Sequence, residues 1–142
     1  MGSVAETMPT RRARGPFEVT LTPQGSNEPA ADVTLGRVVV EKEYHGELEA
    51  SGAGEMLTAV TSLEGSAGYV AIERVSGTLR GRHGTFVLQH SGTMNRGAPE
   101  LLISVVPDSG TGELRGLTGV MAIEITGPRH TYDFVYTLPD FP

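Results

Sequence analysis

Few residues in this chain are equipped for acid–base or coordination chemistry. There are four histidines (His45, His83, His90 and His130), four tyrosines and no cysteine. Without cysteine, disulfides, thiolate nucleophiles, Cys-ligated zinc and iron–sulfur clusters are excluded. One histidine stands out. Residues 84–94, GTFVLQHSGTM, form a mostly apolar, strand-like stretch that runs into His90. A two-residue turn at Arg82–His83 would pair Gly81 with Gly84, so that Leu79 faces Phe86, Val75 faces His90 and Glu73 faces Gly92. Glu73 and His90 are then diagonal neighbours on the face that carries Tyr69, Val75, Leu79, Phe86 and Leu88, and Arg74, Arg80 and Arg82 point outward. A three-residue turn would move Glu73 to the opposite face, because side chains alternate along a strand.

A carboxylate and an imidazole on an apolar face can act as an acid/base pair towards a bound molecule, since burial and a neighbouring charge both move their pKa values. The same pair can equally be a structural ion pair that closes an interior. Glu73 and His90 are therefore the catalytic candidates. The last hairpin adds aromatic residues at period two. With 127–130 as its loop, Ile125 faces Tyr132, Ile123 faces Phe134 and Met121 faces Tyr136, and Glu124 meets Asp133 on the other, solvated face. The candidate ligand-contacting set is Tyr69, Phe86, Leu88, Met121, Ile123, Tyr132, Phe134 and Tyr136. Core packing is the competing role for the aromatic members. His130 is placed at the turn, either at the mouth of a barrel or simply in solvent.

Other patterns carry less. The four histidines show no metal-ligand spacing, and Glu41, Glu43, Glu47 and Glu49 lack a calcium-binding loop, so no metal is expected. The segment SGTGELRG has no Walker lysine and reads as a Gly-rich turn. No G-x-S-x-G elbow occurs. No cofactor is expected.

The elements that must position these residues are strands. Strand-like segments at 17–22, 33–44, 67–81, 85–94, 101–106, 120–126 and 131–138 are joined by turn residues, and Gly52 and Gly54 read as bends in the segment after Gly46. No amphipathic helix of ten residues is present. About eight strands with short connections give an all-β chain: an antiparallel up-and-down barrel or a compact sandwich. An eight-stranded barrel is either packed or holds one small ligand. Residues 1–15 read as a flexible lead-in and 16–142 as a single domain of suitable size.

The chain has 142 residues and a formal net charge of −6. From residue 15 onward 16 acids stand against 8 bases, a balance of −8, which disfavours nucleic acid as a partner. No apolar run approaches the ~20 residues of a membrane-spanning helix. The Arg11–Arg12 pair is followed by polar sequence where an export signal would be apolar. A cytoplasmic location without membrane partners is the expectation.

Three stretches carry a resemblance: 54–94, GEMLTAVTSLEGSAGYVAIERVSGTLRGRHGTFVLQHSGTM; 105–119, VVPDSGTGELRGLTG; and 130–138, HTYDFVYTL. They resemble a widespread family of bacterial proteins of unknown function, similar in fold to the allene oxide cyclase barrel. The resemblance extends over about residues 16–138. It implies a small eight-stranded barrel with a central cavity, often a homodimer. Plant allene oxide cyclases rearrange a fatty-acid epoxide, and spirotetronate cyclases of related architecture fold polyene substrates. The catalytic residues of neither align onto this chain, so none is carried over. The functional expectation is a barrel that holds a small hydrophobic metabolite and promotes a cofactor-free cyclisation or isomerisation. A non-catalytic carrier or sensor, or a purely structural barrel, are the alternatives.

Overall fold

The computed structural model describes residues 8–27, 30 and 32–140. Alternating apolar and polar residues, with glycine-rich turns between them, build eight strands. They are β1 (Arg11–Ser26), β2 (Val33–Tyr44), β3 (Leu48–Thr61), β4 (Ala67–Leu79), β5 (Arg82–Asn95), β6 (Ala98–Val105), β7 (Thr118–Thr126) and β8 (Arg129–Thr137). Neighbours pair antiparallel in chain order, and β1 pairs with β8 to close the barrel. Closure joins the first strand to the last, and β6 meets β7 through the single pair Ser104–Val120. Among the described residues the only helical element is a 3-10 turn at Gly112–Leu114, and no helix is long and apolar enough to cross a membrane.

Four readings of the sequence change. The lead-in is shorter than expected: residues 11–16 pair with Thr131–Tyr136 and supply the closing ladder, so their backbone groups are needed in the sheet. Residues 1–7 lie outside the described residues. Gly52 and Gly54 do not interrupt β3, which runs unbroken against β2 and β4. The turn between β4 and β5 is Arg80–Gly81, not Arg82–His83. Both turn residues have positive φ (43° and 84°), the geometry of a tight hairpin matched to strand twist. Val75 therefore faces Phe86, Glu73 faces Leu88 and Ala71 faces His90. Arg82 becomes the first residue of β5 on the inward parity, and its guanidinium donates to Pro139 O at 2.7 Å instead of pointing into solvent. The last hairpin tightens in the same way. Thr126 faces Arg129, so Ile123 faces Tyr132, Met121 faces Phe134, and Glu124 faces Thr131 rather than Asp133. Both shifts are by an even number of residues, so apart from Arg82 the inner and outer faces stay as the sequence pattern assigns them.

The two ends of the barrel differ. One end, where β1 begins and β8 ends, is sealed by Leu48, Leu79, Leu114, Leu117 and Leu138, all buried. Among the described residues nothing covers the inner face at the opposite end. Leu21, Met94, Leu101 and Ile125 lie on the inward parity of β1, β5, β6 and β7, yet remain 53%, 42%, 42% and 63% exposed.

Candidate functional site

Between the sealed end and the open end lies a buried polar cluster. Glu73 projects inward from β4 and is 1% exposed. Its carboxylate accepts three hydrogen bonds. Lys42 Nζ donates to Oε1 at 3.2 Å, Tyr44 OH donates to Oε2 at 2.5 Å, and His90 Nε2 lies 2.9 Å from Oε1. Lys42 and His90 are themselves buried. The ammonium of Lys42 also sits over the rings of Phe17 and Tyr44, at 5.3 and 5.7 Å from their centroids, where the π faces add to its stabilisation.

The sequence allows this cluster through two details. On β2, Val40, Lys42 and Tyr44 share the inward parity while Glu41 and Glu43 point out, so the lysine takes a core position. On β3, Gly52 lies beside the path of the Glu73 side chain. A Cβ there would stand 2.1 Å from Glu73 Oε2, so only glycine lets the carboxylate reach β2.

Burial pushes the Glu73 carboxyl up. The His90 hydrogen bond, the Lys42 charge and the Tyr44 hydroxyl outweigh it, and the group is held below its ordinary range. Glu73 is therefore a carboxylate, an acceptor only, so His90 Nε2 carries the proton of their hydrogen bond. In the neutral imidazole the lone pair then sits on Nδ1. Among the described residues Nδ1 has no hydrogen-bond partner, and it is not sealed from solvent. Burial, then the Glu73 charge and hydrogen bond, drive the Tyr44 hydroxyl far above the usual tyrosine range, so it stays protonated as a donor.

The remaining candidates separate. Phe86, Leu88, Met121, Tyr132, Phe134 and Tyr136 are buried in one packed core. Phe86 stacks on Phe134 at 5.8 Å, and Phe134 on Tyr136 at 5.2 Å. Tyr132 meets Tyr44 edge-on at 5.5 Å. Its hydroxyl donates to His45 O at 2.7 Å and accepts from Leu48 N at 2.9 Å, which ties β8 to the turn between β2 and β3. Ile123 is partly buried against this core. Tyr69 is half-buried near the open end, and burial, followed by the Glu73 charge, raises its pKa. Its hydroxyl has no partner among the described residues. His130 is not a turn residue. It lies within β8 and stacks on Phe17 at 5.4 Å.

The structure thus brings Glu73 and His90 together, as the parity pattern predicts. Lys42 and Tyr44 are the members that sequence reasoning missed. The available signal was the alternation Val40–Lys42–Tyr44, masked by the carboxylates on either side. A separate groove of about 760 Å³ follows the seam of β1, β8 and β7, lined in part by Arg14, Pro16, Glu124 and Asp133. Its Asp133 is already paired with Arg12 at 2.8 Å and Arg14 at 3.5 Å.

Comparison with known proteins agrees with the architecture. A crystal structure of a DUF3224 protein of unknown function from Shewanella oneidensis MR-1 is 48% identical, with a TM-score of 0.88, and the alignment covers 94% of this chain and 100% of that one. No curated protein matches. The likeness to allene oxide cyclases rests on the sequence resemblance alone. The model of the DUF3224 family, described as proteins of unknown function, matches residues 13–136, and the chain belongs to that family.

Proposed function

We propose that the open end of the barrel is a binding cup for a small, largely apolar molecule. The observation that carries this reading is the asymmetry of the inner face. Five leucines seal one end, whereas Leu21, Met94, Leu101 and Ile125 on the same inner face are left to water at the other. Exposed apolar side chains converging above a few polar groups are the usual composition of a small-molecule site. The polar groups here include Tyr69, the Glu73–His90 pair and His130, which lies on the inward parity of β8.

Catalysis is the second reading, and a specific feature favours it. His90 is fixed through Nε2 by a carboxylate while Nδ1 has no partner among the described residues, as a general base requires. A cofactor-free isomerisation or cyclisation needs little more than such a base and a cup that restrains the substrate.

Binding is tested by titrating the full chain with an environment-sensitive apolar fluorophore and with a series of alkyl ketones that displace it. Burying a leucine-sized group contributes about 1.5–3 kcal/mol, so Leu101→Glu is expected to weaken binding roughly tenfold or more. Leu102→Glu, on the outer face and 57% exposed, should leave it unchanged. Absence of saturable binding, or equal sensitivity to the two substitutions, sinks the cup.

A further inference from the structure

We propose that the substrates of the cup are carbonyl compounds with an acidic α C–H, with His90 Nδ1 taking the proton and the Tyr69 hydroxyl donating to the carbonyl oxygen. The inference rests on the binding reading above and assigns its chemistry.

The argument is one of elimination among the polar groups that β2, β4 and β5 bring together around Glu73. Lys42 is engaged by Glu73 and by two aromatic rings, and Tyr44 OH is engaged by Glu73. Lys42 and Glu73 neutralise each other, so the pocket offers no spare charge to hold a phosphate or a carboxylate. What remains beside Glu73 on β4 and β5 is one acceptor, His90 Nδ1, and one donor, Tyr69 OH; the other inward imidazole, His130 on β8, stacks on Phe17. The residues that carry them are neighbours on the sheet. Tyr69 faces Gly92, which follows His90 by two residues and shares its face. A Cβ at Gly92 would stand 2.4 Å from Tyr69 Cε1, so the phenol ring occupies the place a side chain at 92 would fill. Successive positions on one strand face are about 7 Å apart, a span that a carbonyl group and its adjacent carbon can bridge between a donor and a base.

The step balances without a co-reactant. The α C–H proton moves to Nδ1, and its electron pair becomes a C=C bond. The carbonyl π pair moves to oxygen, where Tyr69 O–H stabilises it by hydrogen bonding. When the substrate is a β,γ-unsaturated ketone, return of the proton from Nδ1 to the γ carbon yields the conjugated isomer. The same enolate attacking an electrophile elsewhere in the substrate would close a ring.

The test uses the full chain in D₂O with cyclohex-3-enone and alkyl-substituted analogues, followed by proton NMR. Deuterium should enter the α position, and the conjugated enone should form, faster than with an equal concentration of imidazole. His90→Gln keeps an N–H for Glu73 and removes the base, and should lower the rate by about 10²–10⁴-fold. Tyr69→Phe removes a hydroxyl that has no structural partner, so it should fold normally and lower kcat by about 10²-fold with little change in KM. Saturable ketone binding without exchange overturns this inference and leaves the cup standing. No ketone binding overturns both. Exchange at the wild-type rate in Tyr69→Phe, or in a folded His90→Gln, overturns the assignment.

Discussion

Gly52 and Glu73 are diagonal neighbours across the β3–β4 pair: the methyl group that an alanine would add stands 2.1 Å from Glu73 Oε2. The carboxylate is 1% exposed and held by three donors, so it has no free space to retreat into. Gly52→Ala is therefore expected to destabilise the protein by about 1–3 kcal/mol, the usual cost of overpacking a filled interior. Urea denaturation should show a lower midpoint at unchanged slope. An unchanged midpoint would show that the cluster adapts, and that the glycine is not what makes room for it.

Lys42 and Glu73 should be strongly non-additive. Removing one member of a buried pair strands the other, at about 3–5 kcal/mol, whereas replacing both with apolar groups of similar size is often close to neutral. Lys42→Met and Glu73→Leu are each expected to be severely destabilising, and the double variant to lose much less than their sum. A double-mutant cycle by denaturant unfolding measures this, and additivity of the two effects would contradict the buried-pair description.

Acid should weaken the fold through Glu73. Its folded-state pKa lies below its ordinary value of 4.5, so between the two values the unfolded chain binds more protons than the native one. The stabilisation is fully present above the ordinary value and is lost as pH falls through the folded value. Asp133, lowered by its Arg12 hydrogen bond, acts in the same direction at the surface. Comparing wild type with Glu73→Gln separates the two. The variant should lose less stability between pH 6 and pH 3 in thermal unfolding followed by circular dichroism. Parallel pH profiles would rule Glu73 out as the source.

Tyr132→Phe should act as a fold variant and not as a ligand variant. The hydroxyl satisfies Leu48 N at 2.9 Å and His45 O at 2.7 Å at the sealed end. Its loss leaves a buried N–H without a partner, an expected cost of about 1–3 kcal/mol. Affinity for apolar probes should be unchanged in the folded variant. A selective loss of binding would bring Tyr132 into the cup.

The contrast between Tyr132 and Tyr69 shows how far the sequence could be read. Both tyrosines lie on inward-facing parity, and alternation alone treats them alike. Their depth along the barrel separates them, and depth depends on how the strands are staggered. The same holds for Phe86, Leu88 and Phe134, whose inward direction was legible but whose place in a packed core was not. The β4–β5 turn position was misread by two residues because the glycines at 81 and 84 made Arg82–His83 an equally acceptable pair of turn residues by composition. Glu73 and His90 survive that error as diagonal neighbours, since an even shift preserves the face.

By itself the sequence determined which residues point inward, because the period of two is a local property of every strand and needs no knowledge of partners. It likewise determined that eight such strands would leave few helical elements. Only the tertiary structure decided which inward residues meet. Lys42 on β2 reaches Glu73 on β4 across the gap left by Gly52 on β3, a contact between strands that are not sheet neighbours. It also decided that one end is sealed and the other open, since closure of the barrel and the placement of residues 112–117 and 138 against its base are long-range events that no local pattern records.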